Sequence, residues 1–167
     1  RVQALEVAGR PGITCEAYAT DLRPMEPTYG LRVAGILGLP ALPKRVRFDF
    51  EARRLGRFPT EMGPEWLSVP VTTDADGLVR VPLTVGGEHA VDAVLDTAFP
   101  GTVAIPAGLL EKWGLLSEDT PRLCPMDAEG VVGAVQIRLA ELSTGPVAVA
   151  NPLCTASPGD SPPRIGM

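Results

Sequence analysis

The chain has 167 residues, a formal net charge of −5, 45% apolar residues and 5% aromatic residues. This length is enough for one good core or two small ones, and the apolar share is that of a globular protein. An acidic balance without a basic stripe argues against a nucleic-acid partner. No apolar run approaches the roughly 20 residues of a membrane span. No signal peptide is visible at the start, so the location stays open, with export to the periplasm as one option.

Eighteen glycines and eighteen prolines indicate many turns between short strands, as in an all-β protein. In chain order, the first part of the sequence predicts a hairpin, a loop, an apolar strand that contains two glycines, and a second hairpin. These elements cover residues 1–22, 23–30, 31–39 and 46–58. A linker rich in proline and glycine is predicted at 59–68.

Alternation of apolar residues resumes after the linker and predicts strands at 69–73, 78–85 and 89–95, joined by turns at Asp76-Gly77 and Gly86-Gly87. A short helix is predicted to begin at Pro106 and to end at Gly114, with Leu109, Leu110 and Trp113 on one face. The remaining residues predict a glycine-rich hairpin, two strands and a loop, at 130–134, 135–139, 146–150 and 151–163.

One stretch, Val94-Leu95-Asp96-Thr97-Ala98, carries candidate chemistry. An apolar strand leads directly into a carboxylate, and then come a hydroxyl residue, a small residue and a Pro-Gly turn. Strand interiors favour β-branched residues, so an aspartate at the apolar end of a strand needs a reason. A tight loop that holds this carboxylate at a surface gives it the controlled solvation that a general acid or base requires.

Together with Thr102-Val103, this stretch resembles the active-site loop of the retropepsin-like aspartic proteases. The resemblance implies an all-β, retropepsin-like acid-protease fold, a β-barrel in type, with one short helix after the Asp-Thr-Ala loop. It implies that Asp96 is catalytic, that Thr97 bonds across a twofold axis, and that Ala98 lets the backbone approach the carboxylates. Substrate would be covered by a glycine-rich flap, which the resemblance places at Gly130, Val131, Val132 and Gly133.

The family also carries an Ile/Leu-Gly motif on a strand that crosses behind the catalytic loop. Ile36-Leu37-Gly38 matches that motif and is predicted to support the site. Ile165-Gly166-Met167 looks like a second copy, offset from Leu37-Gly38-Leu39 by 165 − 37 = 128 residues. A retropepsin-like unit is about this size, which predicts the bacterial type with tandem units. Residues 1–58 would be the C-terminal half of a first unit, 59–68 a linker, and 69–167 the N-terminal part of a second.

The predicted function is an aspartic endopeptidase that hydrolyses peptide or protein substrates. Such enzymes use two carboxylates that share one proton and activate a water. This chain offers one credible member, Asp96, so the second aspartate is expected from a symmetric partner chain or from a unit outside this sequence. The chain is therefore expected to form a homodimer or to pair with a second retropepsin-like unit. No cofactor and no metal are expected.

Two other functions stay open: a catalytically inactive binding or assembly module with the same fold, and a general β-sandwich interaction domain. His89 is the only histidine, and the sequence has no Gly-x-Ser-x-Gly elbow for a serine triad. One histidine and three scattered cysteines do not make a zinc site. A bridge between Cys124 and Cys154 and unpaired thiols both stay open. Asp49, Asp76 and Asp92 are expected in ordinary turn or surface positions, and Trp66 and Trp113 in packing.

Overall fold

The chain divides into two compact units, Arg1–Glu65 and Trp66–Met167. A computed structural model describes residues 2–7, 10–15, 18–38, 42, 46–49, 51–52, 54–57, 63–123, 126–127, 130–131 and 135–166. The boundary between the units lies inside the predicted linker. The assignment of the units to parts of two tandem retropepsin-like units stays a prediction.

The first unit contains two antiparallel hairpins, one formed by β1 (Val2–Val7) and β2 (Arg10–Cys15), the other by β3 (Val46–Asp49) and β4 (Arg54–Arg57). Both hairpins were predicted. Between them lie a 3-10 turn, Arg23–Met25, and a single α-helical turn, α1 (Glu26–Tyr29).

The prediction of a strand at 31–39 is wrong for the described residues 31–38, which belong to no strand. A strand needs a neighbouring strand to pair with its backbone N–H and C=O groups. Among the described residues no strand pairs with this segment, and the N–H of Val33 donates instead to Oε1 of Glu26 at 3.2 Å. The apolar side chains of the segment are consequently open to solvent, with Ile36 62% and Leu37 45% exposed.

The second unit contains most of the regular structure. It begins with the strands β5 (Thr72–Thr73), β6 (Val79–Val85), β7 (His89–Leu95) and β8 (Val103–Pro106) and the helix α2 (Ala107–Lys112). It continues with β9 (Met126–Asp127), β10 (Gly130–Val131), β11 (Gln136–Arg138), β12 (Glu141–Thr144), β13 (Val147–Ala150), β14 (Leu153–Ser157) and β15 (Arg164–Ile165).

Nine of these strands form one sheet in the order β11-β14-β8-β15-β7-β6-β12-β13, with β5 also paired to β6. The sheet is open among the described strands, with β11 and β13 at its edges, so the closure of a barrel is not shown. β14 corrects the prediction of a loop at 151–163, because it pairs in parallel with β8 and antiparallel with β11. The small residues and flanking prolines of this segment are typical of a loop. Because β14 pairs with a strand on each side, it forms a strand even though it is short and its side chains are small.

The main core cluster joins the sheet to α2, while Val94 and Ala104 are buried outside that cluster. In β6 the alternate residues Val81, Leu83 and Val85 are buried, as the period of a strand requires. α2 adds Leu110, which is fully buried, and ends before Gly114, whose positive φ of 71° favours glycine. The largest fully buried side chains are Val85, Val103, Ile105, Leu110, Ile137 and Cys154. The all-β prediction with a short helix after the Asp-Thr-Ala loop is confirmed.

Cys154 is a free, fully buried thiol, so the structure contains no Cys124–Cys154 bridge. Burial raises the pKa of the Cys154 thiol to about 12, against the opposing effect of a backbone hydrogen bond with Ile105. Within the part of the chain that the structure describes, no helix is long and apolar enough to cross a membrane.

Candidate active site

Asp96 is the first residue after β7, at the point where the apolar strand ends. Its backbone N–H donates to the carbonyl of Ile165 at 2.9 Å, and its own carbonyl accepts from the N–H of Phe99 at 3.1 Å. The carboxylate turns back onto the loop, where Oδ1 accepts from the N–H of Ala98 at 3.0 Å. Such a bond two residues ahead is typical of aspartate in a tight turn. The Asp96 side chain is 28% exposed, and its backbone is fixed on both sides.

A strand crosses behind this loop. β15 lies between β7 and β8, parallel to the first and antiparallel to the second. The loop from Asp96 to Thr102 therefore connects two strands that do not neighbour each other, and it passes over the end of β15. The N–H of Gly166 donates to the carbonyl of Thr102 at 3.0 Å, which joins the loop to the crossing strand.

Gly166 allows this crossing because it has no side chain. A Cβ at this position would collide with the carbonyl oxygen of Gly101 and would lie 2.7 Å from that of Phe99. Both atoms belong to the backbone of the loop, so neither has room to move aside. The close approach at Gly166 thus packs the end of β15 directly against the loop that carries Asp96.

Arg164 is the residue of this site that the sequence did not predict. Its Nη1 lies 3.6 Å from Oδ2 of Asp96, and its Cζ lies 5.7 Å from the centre of the Phe99 ring. The Arg164 side chain is 42% exposed. A positive residue directly before the second glycine motif was the only signal in the sequence, and nothing there indicated that it would meet Asp96.

The predicted site residues are not all brought together by the structure. Thr97 and Ala98 lie exposed beside Asp96 in the loop. Gly130 and Val131 form β10, which pairs with β9 in a two-stranded hairpin. Val132 and Gly133 lie outside the described residues. Ile36, Leu37 and Gly38 belong to the first unit. Their support of the site, and the flap, remain predictions.

The other candidate groups take up structural contacts. Asp49 pairs with Arg47 at 2.9 Å and accepts from the N–H of Ala52. His89 stacks on Trp113, with ring centres 5.0 Å apart and planes 4° from parallel. In the described part of the chain, no cluster of three or more His, Cys, Asp or Glu side chains could hold a metal ion.

Chemically, the site presents one half-buried carboxylate with its two oxygens in different surroundings. One oxygen is held by a backbone N–H, and the other faces a guanidinium. A carboxylate fixed in this way can accept or give a proton in a reaction, provided that a second acid completes the pair.

Comparison with known proteins found similarity among solved structures. No family model matches the chain, and no curated protein matches it. A crystal structure of a retropepsin-like aspartic protease from Rickettsia conorii is similar to this chain at 18% sequence identity, over 58% of this chain and 73% of that chain, with a TM-score of 0.46. A TM-score below 0.5 is too low to transfer residue roles or activity.

Proposed function

We propose that the chain is an aspartic endopeptidase that hydrolyses peptide bonds, with Asp96 as one of two catalytic aspartates. The observation that carries the proposal is the placement of Asp96: a half-buried carboxylate at the end of β7, in a loop that passes over the Ile165-Gly166 strand. An aspartate in an ordinary surface turn is not expected to have a strand crossing behind its loop.

The chemistry requires a second carboxylate about 3 Å from the first, so that the two share one proton. The ionised member takes a proton from water as the water attacks the peptide carbon, while the protonated member donates to the carbonyl oxygen. The second aspartate comes from a symmetric partner chain or from another retropepsin-like unit. Thr97 fixes the two loops to each other, and the flap predicted at 130–133 covers an extended peptide substrate.

Replacement of Asp96 by Asn tests this function. The change keeps the size of the side chain and its bond with the Ala98 N–H, but it removes the acid, so we expect cleavage of unfolded protein substrates at acidic pH to fall at least about a hundredfold. Asp92→Asn is a matched control, because Asp92 is exposed on β7, four residues earlier, and its loss should leave the rate unchanged.

A statine-type inhibitor, which imitates the tetrahedral intermediate, should block cleavage by the wild-type chain. Cleavage that survives in Asp96→Asn at the wild-type rate would rule Asp96 out. Equal loss in both variants would point to a change of net charge rather than to chemistry.

A catalytically inactive binding or assembly module is the second candidate. It is favoured by the contact of Asp96 Oδ2 with Arg164 at 3.6 Å, since this ion pair gives the carboxylate a structural partner without a second acid. The two candidates differ in the assembled protein. A structure of the assembly with a second carboxylate within about 4 Å of Asp96 supports the protease. An assembly with Arg164 still paired to Asp96, and no peptide cleavage, supports the module.

A further inference from the structure

We propose that Arg164 forms a subsite that selects peptides with an acidic residue, Asp or Glu, directly before or after the bond that is cleaved. The inference rests on the proposed function for its substrate class. It adds a property that the Asp-Thr-Ala loop alone does not provide, namely a preference for negatively charged side chains in the substrate.

The position of Arg164 in β15 does not by itself require a charged side chain. β15 is an inner strand of the sheet, and Arg164 is paired to Val94 on one side and Ala104 on the other, both of them buried. The Arg164 side chain is nevertheless 42% exposed, so its charged end remains accessible beside the Asp96 loop. By the offset of 128 residues, the matching position in the first glycine motif is Ile36 (164 − 128 = 36), so the motif accepts an apolar residue.

The ion pair with Asp96 leaves most of the guanidinium available. A strong charge-assisted hydrogen bond between nitrogen and oxygen measures about 2.7–2.9 Å, whereas Nη1 of Arg164 is 3.6 Å from Oδ2 of Asp96. A pair between two such partly exposed groups contributes little. Arginine carries five N–H donors, and this ion pair is the one polar contact of its side chain among the described residues. The Phe99 ring, 5.7 Å from Cζ, holds the group in place.

A substrate would bring a side chain to this guanidinium. For reaction, the peptide carbonyl must come within about 3 Å of the Asp96 carboxylate. Residues of an extended peptide are about 3.8 Å apart at Cα, so the side chain next to the cleaved bond reaches a group that contacts the same carboxylate. A carboxylate there accepts two parallel N–H bonds from arginine, while a lysine is repelled.

The net charge of the chain opposes this preference at long range, since −5 repels an acidic peptide. Salt at physiological strength screens such repulsion beyond about 8 Å. A direct contact with the Arg164 guanidinium is much shorter than that, so the N–H donors of Arg164, rather than the net charge of the chain, set the preference at this position.

The test compares peptides that differ at one position, with Glu, Gln or Lys beside the cleaved bond and with both ends capped. Each peptide is prepared in a cleavable form, for kcat/KM, and with a hydroxyethylene group in place of the cleaved amide, for Kd by fluorescence anisotropy. At about pH 6, above the ordinary glutamate pKa of about 4.3, the wild-type chain should prefer Glu over Gln by about tenfold in both measurements. Arg164→Gln should bring the ratio close to one, and Arg164→Glu should favour Lys.

Arg138→Gln is the matched control, because Arg138 is an exposed strand arginine of the same unit that donates to the carbonyl of Asn151. It should keep the tenfold ratio. No difference in Kd between the Glu and Gln analogues would overturn the subsite, and so would a loss in Arg164→Gln that is equal for all three peptides.

The two proposals fail in distinguishable ways. Preferred binding of the Glu analogue that depends on Arg164, without any cleavage, supports the subsite and contradicts the protease. Cleavage with equal kcat/KM for the Glu and Gln peptides contradicts the subsite and still supports the protease.

Discussion

Gly166 shows how one missing side chain shapes the site. Its N–H donates to Thr102, and its α-carbon lies so close to the loop that a Cβ would meet the carbonyl oxygens of Gly101 and Phe99. The obstacle is backbone on the loop that carries Asp96, and backbone held by its own hydrogen bonds moves only at a cost. Gly166 therefore matters to the Asp96 loop because it has no side chain, and not because glycine has a more flexible backbone.

We predict that Gly166→Ala lowers the free energy of unfolding by about 1–3 kcal/mol, because an added methyl group forces the loop away from β15. Urea unfolding followed by circular dichroism measures the change. Gly108→Ala is the control, since a Cβ at Gly108, an exposed residue of α2, meets nothing within 4 Å. That variant should be as stable as the wild type or slightly more stable. Equal stability of Gly166→Ala and the wild type would mean that the strand does not cross so closely.

At this scale the sequence predicted Asp96 but not Arg164, and the reason is physical. Asp96 is unusual in its local context, because a charged residue follows an apolar strand. Arg164 becomes unusual only through its neighbours in space, one of which lies 68 residues earlier (164 − 96). The period of a strand shows which residues share a face, and it does not show which other strand they will meet.

Among the elements, the turn between β5 and β6 is stabilised by a single side chain. Oδ1 of Asp74 accepts from the N–H groups of Asp76, at 3.1 Å, and Leu78, at 2.9 Å. Its Oδ2 pairs with Arg80 at 2.8 Å. The bond from Leu78, followed by the one from Arg80, holds the pKa of Asp74 below its ordinary value.

A pKa lowered by folding stabilises the folded chain above the ordinary pKa of aspartate, and this stabilisation is lost as the pH falls through the folded value. We therefore predict that Asp74→Asn lowers Tm by a few degrees at pH 7, and that the difference from wild type shrinks as the pH is lowered below 4. Thermal unfolding at several pH values measures it. Asp76→Asn changes the same charge in the same turn and should have little effect. A difference that persists unchanged at pH 2 would exclude the ionised form as the cause.

The elements that could be predicted are those whose signals are local. The turns at Asp76-Gly77 and Gly86-Gly87 and the helix between Pro106 and Gly114 depend on residues with special backbone preferences, and they were found within one or two residues. The role of 153–157 as an inner strand and the irregular course of 31–38 depend on partners. β14 has two neighbours and is a strand despite its small residues, whereas 31–38 has none among the described residues.

At the scale of the whole molecule, the residues whose burial the structure describes are unevenly distributed. Every residue that the structure describes as buried lies between Val81 and Ser157, in the second unit. The large sheet, α2 and the Asp96 loop belong to the same unit. Apolar burial is the main force that stabilises a fold, so the second unit contains what it needs to be stable by itself.

We predict that residues 66–167, produced as a separate fragment, unfold cooperatively and with a Tm within a few degrees of the main transition of the full chain. Calorimetry of the fragment and of the full chain measures both values, and agreement of calorimetric and van't Hoff enthalpies tests cooperativity. The fragment 1–65, in which each residue from 18 to 65 with a described burial is exposed or half-buried, serves as the comparison and should show no cooperative transition. A fragment 66–167 that melts without cooperativity would mean that the first unit supplies part of the stability of the Asp96 loop, and Asp96 would then depend on more of the chain than its own sheet.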